Sequence, residues 1–135
     1  MKFYLLITLV FGVVLPATAK PIIDLNDAIA TTDAFNQASA KFYAGESDTV
    51  LLAKARVVVS RNLRDPESAR FRDLRVIHAR VPGSPAMYIC GAVNAKNGFG
   101  GYNGYKTFYA NAFGPLFQGE NPTKDAVIAH YCTGR

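Results

Sequence analysis

Residues 86 to 113 read AMYICGAVNAKNGFGGYNGYKTFYANAF, two apolar stretches either side of a glycine-rich insert. Ala86 to Asn94 is short, apolar and bounded by turn residues, which predicts a strand central in a sheet. Asn97 to Gly104 (NGFGGYNG) predicts a loop, since its glycines free the backbone for positive φ. Tyr105 to Phe113 predicts the next strand, with aromatic residues on both faces, ended by Gly114-Pro115.

Working outward, Phe71 to Arg80 alternates with apolar content on both registers and reads as a strand, and Pro82-Gly83-Ser84-Pro85 as the turn after it. Leu116 to Gly119 reads as a short strand or a bend. Upstream the grammar is helical. Spacings of three and four between Phe35, Ala38 and Phe42 predict a helix, capped by Thr32 or Asp33. A second helix runs from a Ser47 or Asp48 cap through Leu63, with Leu51, Leu52, Ala55, Val58 and Val59 on one face. Asp65-Pro66-Glu67 places a cap, a first-position proline and an acid where a helical turn starts, and reads as structural punctuation delivering Phe71 to the core.

The last element is ambiguous. Asn121-Pro122 opens a helix and Gly134 stops one, yet Val127, Ala129 and Tyr131 alternate like a strand; the reading leans to helix. The predicted class is α+β: N-terminal helices packed on a three- to four-stranded antiparallel sheet, with a C-terminal element tethered by a disulfide.

Met1-Lys2, the apolar run Phe3 to Val14 and the small residues Ala17-Thr18-Ala19 predict a signal peptide over residues 1–19, leaving 20–135 as a single mature domain. The apolar run is too short to span a bilayer, for which about 20 residues are needed. A retained signal anchor is the alternative. Cleavage removes Lys2 and lowers the formal charge by one from +5. The remaining positive charge alternates with acids, as on a solvated surface; attraction to an acidic surface or polymer is the sharper reading.

An even count of two cysteines in an exported chain favours a Cys90–Cys132 disulfide, because the periplasm and the exterior are oxidising. Closing that loop stabilises by about 4 kcal/mol in the chain-entropy treatment. Free thiols or intermolecular pairing are the alternatives.

Asn94 to Lys106 asks for a functional reading. Its amides, aromatics and lysines (Asn94, Lys96, Asn97, Phe99, Tyr102, Asn103, Tyr105 and Lys106) make a reasonable contact surface for a protein, peptide or glycan. The plain alternative is a wide hairpin whose tyrosines cover the sheet. The spacing matches neither a P-loop nor G-x-G-x-x-G, since position 103 is Asn103. A catalytic reading has little to work with: His78 and His130 are the only histidines, and the two Cys and two His lack zinc-like spacing. A hydrolase should join one histidine to an acid such as Asp73 or Asp125.

Three linked stretches resemble a group of small exported proteobacterial and phage-associated proteins. They are Leu63 to Phe71 (LRDPESARF), Ile89 to Asn97 (ICGAVNAKN) and Gly98 to Lys106 (GFGGYNGYK), with a second Cys near the C-terminus. The resemblance covers roughly residues 50 to 132 and supports the domain boundaries and the linked cysteines, but implies no catalytic residues. The expectation is thus a periplasmic or secreted binding or accessory protein, its partner an envelope protein or glycan. No enzyme activity, cofactor, metal, nucleic-acid partner or lasting membrane insertion is expected. A small envelope hydrolase or enzyme inhibitor is the alternative.

Overall fold

The computed structural model describes residues 24 to 133. The expected leader at 1–19 and the stop glycine Gly134 lie outside the described residues. The element order is α1 (Leu25–Phe42), α2 (Asp48–Arg61), a 3₁₀ turn (Pro66–Ser68), β1 (Arg70–Arg80), β2 (Pro85–Asn94), β3 (Lys106–Asn111), β4 (Gly114–Phe117) and α3 (Pro122–Ile128), continued by a π-turn (Ala129–Thr133). The strands form one antiparallel sheet in the order β1-β2-β3-β4. The α+β class is therefore observed, with four strands, and the ambiguous last element is helical.

Side-chain alternation divides β2 and β3 between two cores. Met87, Ile89 and Val93 with Phe108 and Ala110 face α2, whose Leu51, Ala55 and Val59 are buried as the sequence pattern predicts. Ser47 caps α2, its Oγ accepting from Val50 N. Gly91 lies on this face because Leu74 and the Phe108 ring pack over it: a Cβ there would sit 2.9 Å from Leu74 Cδ2 and 3.0 Å from the ring. On the other face Tyr88, Cys90 and Tyr109 meet Val127, Ile128, Tyr131 and Cys132, with Ile29 of α1 at the margin.

Cys90 and Cys132 form a disulfide, Cα–Cα 5.6 Å, tying β2 to the C-terminal turn. The free-thiol alternative is excluded. Among the described residues no helix is long and apolar enough to cross a membrane.

Two expectations about strand and helix limits are corrected. The strand predicted over Tyr105–Phe113 stops at Asn111, and Ala112-Phe113 make a tight turn whose Asn111 Oδ1 accepts from Phe113 N at 2.9 Å. Gly114-Pro115 therefore begin β4 instead of ending β3, and Gly114 has φ +137°, a value glycine adopts without strain. At the other end of the domain, α1 starts at Leu25, capped by Asp24, not at Thr32 or Asp33.

In its C-terminal half α1 turns a polar face inward. Phe35 and Phe42 are 43% and 73% exposed, while Asn36 and Ser39 are fully buried. α1 crosses the end of the sheet where the β1–β2 and β3–β4 turns lie, and those turns present polar groups. Ser39 Oγ accepts from Ala112 N at 3.0 Å, and the Gln37 amide donates to Val81 O. Asn36 Oδ1 accepts from the Tyr109 hydroxyl and from Asn111 Nδ2, which also donates to that hydroxyl at 2.9 Å. One turn earlier, Tyr131 Oη donates to Asp33 Oδ1 at 2.5 Å. Buried backbone and hydroxyl groups require partners, so this helix turns its amide and hydroxyl side inward.

Candidate functional site

The opposite end of the sheet carries the segment between Asn94 and Lys106. It is not a loose connection. Asn97 organises it: Oδ1 accepts from Phe99 N at 2.9 Å and Gly101 N at 3.1 Å, and Nδ2 donates to Asn103 Oδ1 at 3.0 Å. The backbone closes the same turn through Asn97 N to Gly101 O, 2.8 Å, and Gly100 N to Asn97 O, 3.0 Å. Gly100 and Gly104 have φ of +80° and +97°, so here the glycines are required by the turn.

The loop is fastened to the 3₁₀ turn. Asp65 Oδ1 caps that turn by accepting from Ser68 N at 3.3 Å. Ser68 in turn holds the loop: its Oγ accepts from Lys96 N at 2.8 Å, and its carbonyl accepts from Tyr102 Oη at 3.0 Å. The segment read as punctuation is thus also the loop's anchor. Arg64, just before it, lies against Gly98, where a Cβ would come within 2.9 Å of the guanidinium carbon.

The eight residues singled out in the sequence fall into four positions. Phe99 stands wholly exposed at the loop tip. Tyr102 and Tyr105 lie under arginines, Arg70 4.4 Å from the Tyr102 ring centroid and Arg72 4.1 Å from that of Tyr105. Tyr102 is half-buried and serves as an anchor, while Tyr105 keeps 38% of its surface exposed. Lys96, Asn97, Asn103 and Lys106 line a cleft of about 280 Å³ beneath the loop. Asn94 is apart from them, half-buried and paired with Arg70 at the end of the β1–β2 ladder.

Sequence reasoning missed Arg64, Gln118 and Glu120, which complete the cleft, and Leu63, Val93 and Phe117, which give it an apolar floor. Arg64 and Gln118 lie more than ten residues from the loop on either side, and only the antiparallel meander brings them together. The one available signal was the succession of Arg64, Asp65-Pro66 and Ser68 next to a strand start.

The histidines are elsewhere. His78 Nε2 meets Asp48 Oδ1 at 2.8 Å on an exposed surface, not Asp73. The shallow cleft that His78 borders has no serine, threonine or cysteine in its lining. Asp125 accepts from Gly119 N at 2.7 Å, and the exposed His130 ring packs edge-on to Tyr131. His78 is thus joined to Asp48 and not to the acids named from the sequence, Asp73 and Asp125. Among the described residues no three His, Cys, Asp or Glu side chains gather as a metal site. Compared with protein-family models, curated proteins and solved structures, the chain matches none.

Proposed function

We propose that this chain is an exported, periplasmic or secreted, small binding module of the cell envelope that contacts a partner protein or glycan through the Asn94–Lys106 loop. The observation that carries the reading is Phe99: an apolar ring left entirely in water at the tip of a loop that seven hydrogen bonds hold in place. A folded chain gains nothing from that ring. Burying it against a partner releases about 2 kcal/mol or more of hydrophobic free energy, and a pre-ordered loop avoids most of the entropic cost of fixing it on binding. Aromatic side chains presented in this way are the usual anchors of interfaces. The buried disulfide fits an oxidising compartment.

The test is affinity capture from a native envelope extract with the disulfide-bonded protein as bait. Phe99→Ala is expected to reduce capture of the specific partner at least tenfold, whereas Phe42→Ala, an equally apolar exposed site on α1, leaves it unchanged. Equal capture by wild type and Phe99→Ala removes the proposal. Tyr102→Ala is unsuitable for this purpose, since it also cuts the loop from Ser68.

A further inference from the structure

The cleft beneath the loop is chemically one-sided. Arg64, Lys96 and Lys106 converge on it, and among the described residues none has a carboxylate within ion-pair distance. The acid in the lining, Glu120, is already held by Lys124, Nζ to Oε2 2.5 Å. The amide side chains repeat the bias. Asn97 Oδ1 is occupied by two backbone N–H groups, Asn103 Oδ1 by Asn97 Nδ2, and Gln118 Oε1 by Thr107 N at 3.3 Å. Their acceptor ends are thus turned into the protein's own network. Beside the second oxygen of Glu120, what remains open among these side chains is donors: Asn103 Nδ2, Gln118 Nε2, two ammonium groups and a guanidinium.

A neutral sugar offers hydroxyl protons and needs acceptors as well as donors, whereas an oxyanion needs donors alone. We infer that the cleft binds an oxyanion, carboxylate or phosphate, carried on a unit no larger than one sugar or one amino-acid side chain. The size limit follows from the volume of about 280 Å³, at the lower edge of the roughly 300–1,000 Å³ of small-molecule sites. Leu63, Val93 and Phe117 accept the apolar side of the carrier. The inference rests on the loop being a contact surface and specifies the chemistry that surface takes: Phe99 is the apolar anchor and the cleft holds the charge.

The test is an NMR titration of the ¹⁵N-labelled, disulfide-bonded protein with inorganic phosphate, glucuronate and glucose at low ionic strength. Saturable shifts at Lys96, Asn103 and Gln118 are expected with phosphate or glucuronate and not with glucose. The tighter of the two anions identifies the source of the oxyanion. Lys96→Ala/Lys106→Ala is expected to weaken the binding at least tenfold, and added salt to weaken it progressively. Shifts that do not saturate, that appear equally at Lys41 and Lys54, or that survive the double substitution overturn the inference. Loss of partner capture on Phe99→Ala with neither anion bound sinks the oxyanion site and leaves the loop reading intact. Anion binding with capture indifferent to Phe99 does the reverse.

Discussion

At one end of the sheet Asn36, Tyr109 and Asn111 close on one another beneath α1; at the other, Asn97, Asn103 and Tyr102 build a loop that faces water. The residue types are the same, and so is the bond-making. What differs is the direction in which unused hydrogen-bonding capacity points. Under α1 the bonds made are inside the protein: the Asn36 oxygen takes two donors, and Tyr109 both gives and receives, while the buried Asn36 Nδ2 has no partner among the described residues. In the loop the amide oxygens are turned inward and the donors outward, beside unpaired cations. Burial is what separates the two. A hydrogen bond made where water is excluded must be kept, because losing it strands a group at a cost of about 1–3 kcal/mol. An exposed one mainly sets shape, since water replaces it.

The strongest way to break this comparison is Asn36→Ala. The fully buried amide leaves a hole, and the Tyr109 hydroxyl and Asn111 lose their shared acceptor. Denaturant unfolding should show a loss of about 3 kcal/mol, combining the cavity and the stranded donor. A loss under about 1 kcal/mol would mean that the polar seam is incidental to the fold.

Alkaline pH strains the same end without a mutation. Burial drives the Tyr109 hydroxyl well above the ordinary tyrosine range, against the opposing effect of its bonds to Asn111 and Asn36. Tyr131 is driven the same way, by burial first and then by its hydrogen bond to Asp33 and that acid's charge. Both groups hold their protons more tightly folded than unfolded. Their contribution is therefore complete below the unfolded tyrosine value of about 10 and declines as pH rises above it. Melting temperature should be unaffected by these groups at neutral pH and fall beyond pH 10; Tyr131→Phe should flatten that fall. A melting temperature that holds steady through pH 11 would show that neither hydroxyl is tied as described.

The smallest effect is expected at the open end. Asn97→Ala removes three side-chain bonds from the loop, yet all are exposed, so global stability should drop by about 1 kcal/mol or less. Amide exchange at Phe99 and Gly101 should nevertheless accelerate sharply, reporting local loosening. If Asn97→Ala unfolds the domain as readily as Asn36→Ala, the two ends are not energetically different.

Much of the fold was legible before any coordinates. The faces of α2, the Asp65-Pro66 turn and the succession of strands follow from short-range rules of capping, periodicity and turn chemistry, and the structure agrees with them. That α1 is a helix was legible, but its inward face was not, for a physical reason. Phe35, Ala38 and Phe42 form an apolar stripe, but where Asn36, Gln37 and Ser39 meet the sheet the surface is a set of turn backbone groups and the Tyr109 hydroxyl, while Ala28, Ile29 and Ala40 make the apolar contacts. A stripe reports what a helix could bury, not what it meets. The loop was legible as a segment and not as a site, because its anchor Ser68 and its cleft partners Arg64 and Gln118 belong to other elements.

The sequence by itself determined most of the elements, the antiparallel order and the two cysteines able to pair, all of which depend on residues near one another in the chain or on compartment chemistry. Only the tertiary structure decided which side of α1 faces inward, that Tyr102 anchors while Phe99 projects, and that the donors of three separated segments converge on one cleft. Those outcomes depend on which polar groups are left without water when the sheet ends are covered, and that is a property of the assembled domain.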